Sequence, residues 1–387
     1  MLTVVALSGI NAYAHQFVHG LITTGMTDQV SWGLYIANFT YLVGIAAAAV
    51  MLVIPAYIYR IKALHDLVIF GELLAVSAII MCLLFVTVDL GRPDRFMHLL
   101  LRFNFPISML TWDVVVLNGY LLLNLHICGY LIYCAYCKRS PSKLFYIPFV
   151  FIAIFWAISI HTVTAFLYAG LGGRPFWNSA VIAPRFIASA FAAGPALIIL
   201  TLQVIHYATR YPVHDRALTI LRNIITVALS INMFLLGSEV FTEFYTQSSH
   251  VVSAEYLFFG LHGHHALVPW IWSAVVLNTA ALIILFSPMR DRRMLLNIAC
   301  VAMIVGIWIE KGMGLIVPAF VPSPLGEIVE YTPTINEIRV GLGIWAIGLL
   351  LYTIFVRITV PVLQGQLTID TNHDSESGPA HPSVAAV

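Results

Sequence analysis

Residues 68–96 read VIFGELLAVSAIIMCLLFVTVDLGRPDRF. From Val68 to Val88 the only charged letter is Glu72; then Asp89, Arg92, Asp94 and Arg95 arrive within seven residues, around Gly91 and Pro93. About 20 apolar residues suffice for a helix to cross the hydrocarbon of a bilayer. The run is therefore a spanning helix, and the charges mark its exit into water.

The same pattern repeats along the chain. Of 387 residues, 60% are hydrophobic and 10% charged, where soluble proteins carry about a quarter charged residues. Such a composition cannot cover a water-facing surface, so the fold class is an all-α polytopic membrane protein. Apolar length and Pro, Gly or charged interruptions place nine spanning helices at 32–60, 64–88, 108–136, 144–170, 186–209, 220–246, 265–287, 294–318 and 337–360. Residues 1–31 hold Asn11, His15, Gln16, His19 and Asp28 and fit an interfacial or re-entrant segment better than a tenth span. Residues 32–170 then form a first four-helix bundle and 171–361 a second bundle. Residues 362–387, polar and poor in large apolar side chains, are expected to be a disordered tail.

A net charge of +1 gives no support for nucleic-acid binding. The opening MLTVVALSGINAYAHQF has no basic residue ahead of its apolar letters and no small-residue cleavage site, so no removed signal peptide is expected. Twelve of the nineteen Lys and Arg fall at one set of helix ends, from Arg60 and Lys62 to Arg290, Arg292 and Arg293. By the positive-inside rule those ends are cytoplasmic. That puts the N-terminus and the DLGRPDR loop outside and the tail in the cytoplasm.

Acids collect at the opposite face. Asp113, Glu239, Glu243 and Glu310, with Lys311 and His161, lie inside apolar helices within about three turns of the outer ends; Glu72 lies near mid-membrane. A charge at a helix centre costs about 2.5–3.5 kcal/mol on insertion scales, so such groups are candidate functional residues. Each also has a plainer reading, as an interfacial side chain or a buried hydrogen bond. Glu239 and Glu243 are i, i+4 and share a helix face; Glu72, Glu239, Glu243 and Glu310 are proton-path candidates. Asp89 can pair with Arg92 to fix the loop, with Gly91 permitting the turn and Pro93 opening a helix. Gly44 and Ala48 give small-residue spacing for close packing, and Pro195 and Pro318 are kink positions. Cys134 and Cys137 form a lone CxxC and read as plain thiols; HGHH at 262–265 lacks a supporting ligand framework, so no metal site is expected.

Three segments taken together resemble the membrane subunits of the NrfD/polysulfide-reductase family: WGLYIANFTYLVGIAAA, DLGRPDRF and HTVTAFLYAGLGGRPFWNSAVIAPRFIASAF. Within it the likeness is to the DsrP branch of sulfur-metabolising Dsr-type complexes, helped by PSPLGEIVEYTPT at 322–334, with the Hme-type menaquinol-oxidising complex a near neighbour. The resemblance implies a subunit of the cytoplasmic membrane that handles menaquinone near the outer face, without haem or an iron–sulfur cluster of its own. It implies a pocket in the first bundle beside an extracytoplasmic ferredoxin-like (DsrO-like) iron–sulfur subunit. A cytochrome b membrane subunit, a multihaem cytochrome c and a cytoplasmic iron–sulfur subunit would complete the assembly.

Oxidising a quinol needs a hydrogen-bond partner at each ring oxygen, flat apolar walls and proton acceptors. The outer halves of the first four helices offer Asn38, Tyr41, Arg92, Trp112, His161 and Tyr168 as binding residues, and His161, Asp113 and Asp89 as proton acceptors. Two other readings stay open. His126 and His206 are conceivable axial ligands of a b-type haem, and Glu72 with the proline-kinked helices suits an ion-translocating subunit without a redox site of its own.

Overall fold

The computed structural model describes residues 1–248 and 250–369. Among these residues nine helices are long and apolar enough to cross a membrane: α2 Leu34–Ile58, α3 Lys62–Asp89, α4 Met109–Tyr136, α5 Lys143–Ala169, α6 Ile182–Thr209, α7 Asp215–Thr246, α8 Val268–Phe286, α9 Arg293–Phe320 and α10 Ile335–Leu363. They coincide within a few residues with the nine runs read from the sequence. Their ends follow local chemistry. Arg210 leaves α6 in a left-handed conformation with its N–H on His206 O, and Thr334 caps α10 by accepting from the Glu337 N–H at 3.2 Å. Pro195 lies inside an unbroken α6, whereas Pro318 opens the 3-10 turn that closes α9.

The first four spans pack on one another, α2 on α3, α4 on α5 and α3 on α4. The next four form a second group, with α6 against α7 and α9, and α8 against α9. The core helix is α2: every residue from Leu34 to Ala46 is buried, because α2 also packs on α6 and the inner turn of α9. The last span, α10, lies on α3, α4 and α2, on the side of the first four helices.

Residues 1–31 differ from a simple interfacial segment. Leu2–His19 form one helix, α1, laid along α10. At about 1.5 Å per residue its 18 residues run for about 27 Å. Gly9 and Gly343 touch backbone to backbone, with no room for a Cβ on either, the close approach that small residues allow between helices in lipid. Val4, Leu7, Ile10, Phe17 and Val18 form the outward face. Of the polar letters that argued against burial, only Gln16 is inside: it donates to Val88 O at 2.7 Å and accepts from the Tyr35 hydroxyl at 2.6 Å. Asn11, His15, His19 and Asp28 are exposed. The expected tail lies, from residue 370 on, outside the described residues.

Candidate functional site

A cavity of about 450 Å³ opens among those ends of the first four spans that carry Asp89 and Asp113. Ile36 and Phe39 present one face of α2 to it, and Trp32, just before that helix, adds its ring. The last turn of α3 adds Val86 and Asp89, the first turns of α4 add Met109 and Asp113, and the end of α5 adds Leu167 and Leu171. The walls are apolar apart from the two carboxyl groups and Ser108.

Asp113 is buried and hydrogen-bonded to the Thr164 hydroxyl at 2.7 Å. That hydroxyl also donates to Ile160 O at 2.7 Å. Thr164 has one proton for two acceptors, so both contacts are satisfied together only when the carboxyl group brings a proton of its own. The Asp89 Oδ1 atom is buried without a partner among the described residues. One turn farther along α5, His161 is buried; its Nδ1 donates to Ala157 O at 2.9 Å, and Nε2 has no partner among the described residues. Buried polar atoms left unsatisfied cost about 1–3 kcal/mol each, and carboxylate and imidazole atoms in that condition suit groups that exchange protons.

Tyr168 backs the cavity edge-on to Trp32, with centroids 5.9 Å apart. Its hydroxyl lies 2.5 Å from Thr40 Oγ1; because Thr40 donates to Ile36 O, Tyr168 is the donor in that contact. Trp32, Trp177 and Phe320 continue the aromatic wall toward α9, with Arg174 over the Phe320 ring at 4.3 Å. Half-buried Trp112 packs on Phe105 and donates to Pro106 O at 2.8 Å, outside the cavity.

Several expected partners are placed elsewhere. Arg92 does not pair with Asp89; it is exposed and pairs with Asp94 at 2.9 Å, because Asp89 ends α3 facing inward while Arg92 lies in the loop. The Arg92 hydrogen bond holds the Asp94 carboxyl below the usual carboxylate range. Gly91 has no positive φ, so the turn makes no demand for glycine there. Asn38 and Tyr41 leave the other side of α2 and line a separate apolar cleft of about 520 Å³ with Trp270, Trp308 and Trp345. Asn38 Oδ1 accepts from Trp308 at 3.0 Å and Trp345 at 2.8 Å, so the amide is spent on two indoles.

The second polar group is real but has different members. Residues Ile309–Met313 of α9 form a π-helical turn that buries both Glu310 and Lys311; such turns recur at functional positions. Glu310 accepts from Arg185 Nε at 3.2 Å, Asn278 Nδ2 at 3.0 Å and Asn232 Nδ2 at 3.1 Å. Arg185 also pairs with Glu239. Lys311 points the other way: its Nζ lies 4.3 Å over the Phe186 ring and 3.4 Å from Phe186 O, in space that a Cβ on Gly44 would crowd. Glu239 and Glu243, although on one face, serve different partners, for Glu243 lies 3.6 Å from His250. His264 pairs with Glu330 between two loops. Glu72 is buried with Oε2 unpartnered among the described residues.

His126 packs among Phe145, Phe149 and Tyr130, while His206 bonds Tyr211 O, so the two imidazoles do not share a setting. All five cysteines are free and buried, and no group of three or more His, Cys, Asp or Glu that could hold a metal occurs among the described residues. Thr164, Arg185, Asn232 and Asn278 do not stand out in the sequence reading above. The two asparagines had a usable signal, an amide deep in an apolar run.

Fold and site together define a multi-pass helical membrane protein with an acid-bearing, largely apolar pocket at one end of its first four spans. Residues 23–320 match the polysulphide reductase, NrfD family, and the chain belongs to that family. It is similar to a selenate reductase subunit of Mesobacillus selenatarsenatis, 24% identical with 98% of this chain and 97% of that protein covered. It is also similar to a putative dimethyl sulfoxide reductase membrane subunit of Halobacterium salinarum, at 25% identity over 91% of this chain and 88% of that one. An Hdr-like menaquinol oxidoreductase integral membrane subunit of Archaeoglobus fulgidus is 24% identical over 51% of this chain and 48% of its own. Membership makes the chain a membrane subunit of the kind found in reductase and oxidoreductase complexes, which work with partner subunits.

Proposed function

We propose that this chain is the quinone-reacting subunit of a respiratory complex in the cytoplasmic membrane, passing electrons between a menaquinone-type quinol and an extracytoplasmic iron–sulfur subunit seated over residues 91–107. The observation that carries this reading is the cavity holding Asp89 and Asp113 between apolar walls. Its volume of about 450 Å³ lies within the range of ligand pockets, and the unpartnered Asp89 Oδ1 is the kind of group a ring hydroxyl would satisfy. A quinol, when bound, supplies two electrons and two protons.

The chain's own residues divide the remaining work. Trp32, Phe39 and Leu167 give flat apolar contact and exclude water. Asp89, at the last turn of α3, and Asp113, at the start of α4, offer carboxyl oxygens on two sides of the cavity. Thr164 orients Asp113: its hydroxyl donates to Ile160 O while the carboxyl group is protonated and can turn to donate to the carboxylate once that proton leaves. His161, its Nδ1 held by Ala157 O, keeps Nε2 free to take a proton one turn farther in. The family likeness supports quinone chemistry, and the Archaeoglobus relative is named for menaquinol. Service in sulfur metabolism, with Dsr-type partners, rests on the sequence likeness alone.

A photoreactive naphthoquinone tests the assignment. Labelling at Ile36, Phe39, Met109 or Asp113 supports it, and labelling confined to Asn38 and Tyr41 or to other spans overturns it. In the assembled complex, His161→Ala is expected to suppress quinol-dependent reduction of the partner; unchanged kinetics would remove His161 from the site.

The π-turn network favours a second role, proton movement through the inner spans. Glu310 and Lys311 are adjacent, buried and turned to opposite halves of the molecule. With Glu72, Glu239 and Glu243 they supply titratable groups at several depths. Proton uptake by proteoliposomes without any electron donor would separate transport from redox-linked chemistry.

A further inference from the structure

A cavity of about 620 Å³ lies at the arginine-rich end of the molecule, between α6, α7 and α9. Along α6 its lining changes from apolar to polar within two turns: Leu200 and Val204, then His206 and Tyr207 at the mouth. Leu218 of α7 faces this apolar wall, and Arg293 opens α9 at the polar end. Between the two zones Gln203 and Asn297 bond each other reciprocally, at 2.7 and 3.2 Å, so their amides ask nothing of a ligand.

We propose that this cavity binds one anionic phospholipid, its phosphate on Arg293 and His206 and an acyl chain along Leu200, Val204 and Leu218. The gradient from apolar to cationic runs parallel to the helices, as it does in a phospholipid at an interface. One arm of Arg293 donates to Asp215 at 2.5 Å; a guanidinium has five N–H donors, and the pair is largely exposed, so a phosphate can share the fork. His206, on the cavity lining, donates its Nδ1 proton to Tyr211 O at 2.7 Å, so its Nε2 can donate to a phosphate only when the ring is the imidazolium, the form an adjacent phosphate favours. The surrounding segments reinforce the sign. Residues 206–222 and 290–293 hold six arginines against Asp215 and Asp291. Basic pockets between helices at a membrane surface are recurrent sites for anionic lipid headgroups. Val204 and Tyr207 are 64% and 82% exposed, so the cavity opens sideways toward lipid as well as toward water. That lateral mouth favours a lipid over a free anion.

Native mass spectrometry of the full chain, released from detergent with equal molar excess of phosphatidylglycerol, phosphatidylcholine or inorganic phosphate, tests this. One retained phosphatidylglycerol per chain is expected, with at least tenfold lower occupancy by phosphatidylcholine. Arg293→Gln should cut phosphatidylglycerol occupancy about tenfold. Val204→Trp, a change on a lipid-facing position that keeps every charge, should do the same by filling the apolar wall. Equal retention of both lipids, phosphate binding that survives Val204→Trp and displaces the lipid, or wild-type phosphatidylglycerol occupancy in both variants would overturn the proposal.

Discussion

Two polar regions are buried in the same half of the molecule, yet they differ in how their groups are satisfied. Around Glu310 both carboxylate oxygens face a guanidinium or an amide donor and the leftover atoms are the neutral Oδ1 of Asn232 and Asn278; only a turn farther along α7, at Glu243 Oε2 and His250 Nδ1, are titratable atoms left without a hydrogen bond among the described residues. Around Asp113 the orphans are a carboxyl oxygen of Asp89 and the Nε2 of His161. Paired charges in a low-dielectric interior lock helices in place, whereas an unpartnered acid or base beside a cavity is open to a ligand or a proton. The difference separates a clasp from a site, although both announce themselves in the sequence as charges in apolar helices.

The sharpest way to break this contrast is to remove the cation of the clasp. Arg185→Met leaves Glu239 and Glu310 buried without it and should destabilise the protein by about 3–5 kcal/mol, read as a lower melting temperature in detergent. The triple change Arg185→Met, Glu239→Gln, Glu310→Gln should recover most of that loss; no recovery would mean that the charges do more than balance one another. At the pocket the expectation reverses. Asp113→Asn should leave melting unchanged while quinol-dependent turnover falls by about 10²-fold, and a fall in stability with turnover intact would move Asp113 into the structural class.

Smaller effects sharpen the boundary. Asn38→Ala strands two indole N–H groups and should cost about 2 kcal/mol with no change in KM for quinol; a raised KM would return Asn38 to the redox site. The smallest effect belongs to the exposed Arg92–Asp94 pair. Because Asp94 titrates below the usual carboxylate range, whatever its pairing contributes is present above the ordinary carboxylate pKa and lost only as pH falls through the lowered value. Asp94→Asn should therefore show no change in melting temperature near neutral pH that exceeds measurement error.

Apolar length makes the spans legible: α5, expected at 144–170, is Lys143–Ala169. The acid positions of the pocket are legible too, since depth alone points to Asp89 and Asp113 and both line it. Direction around a helix is not. Depth assigns Asn38 and Tyr41 to the first-bundle pocket, but they face the opposite cleft, because α2 is buried all round and carries no polar stripe to orient it. Partner choice is equally hidden. Spacing along α7 puts Glu239 and Glu243 together, while cross-helix geometry gives one to Arg185 and the other to His250. The N-terminal helix is obscured for a related reason: its exposed histidines weigh against it, although the residue that matters, Gln16, is hydrogen-bonded inside.

The contact between α1 and α10 has a consequence for biogenesis. Gly9 rests on Gly343, the Gly25 N–H reaches Glu337 at 3.0 Å, and the Leu34 N–H reaches the Tyr331 hydroxyl at 2.8 Å. Helix α1 therefore waits for α10 to be made before it finds its seat. A message cut short before residue 335 would release a protein whose α1 has nowhere to dock, giving quality-control proteases a ready mark.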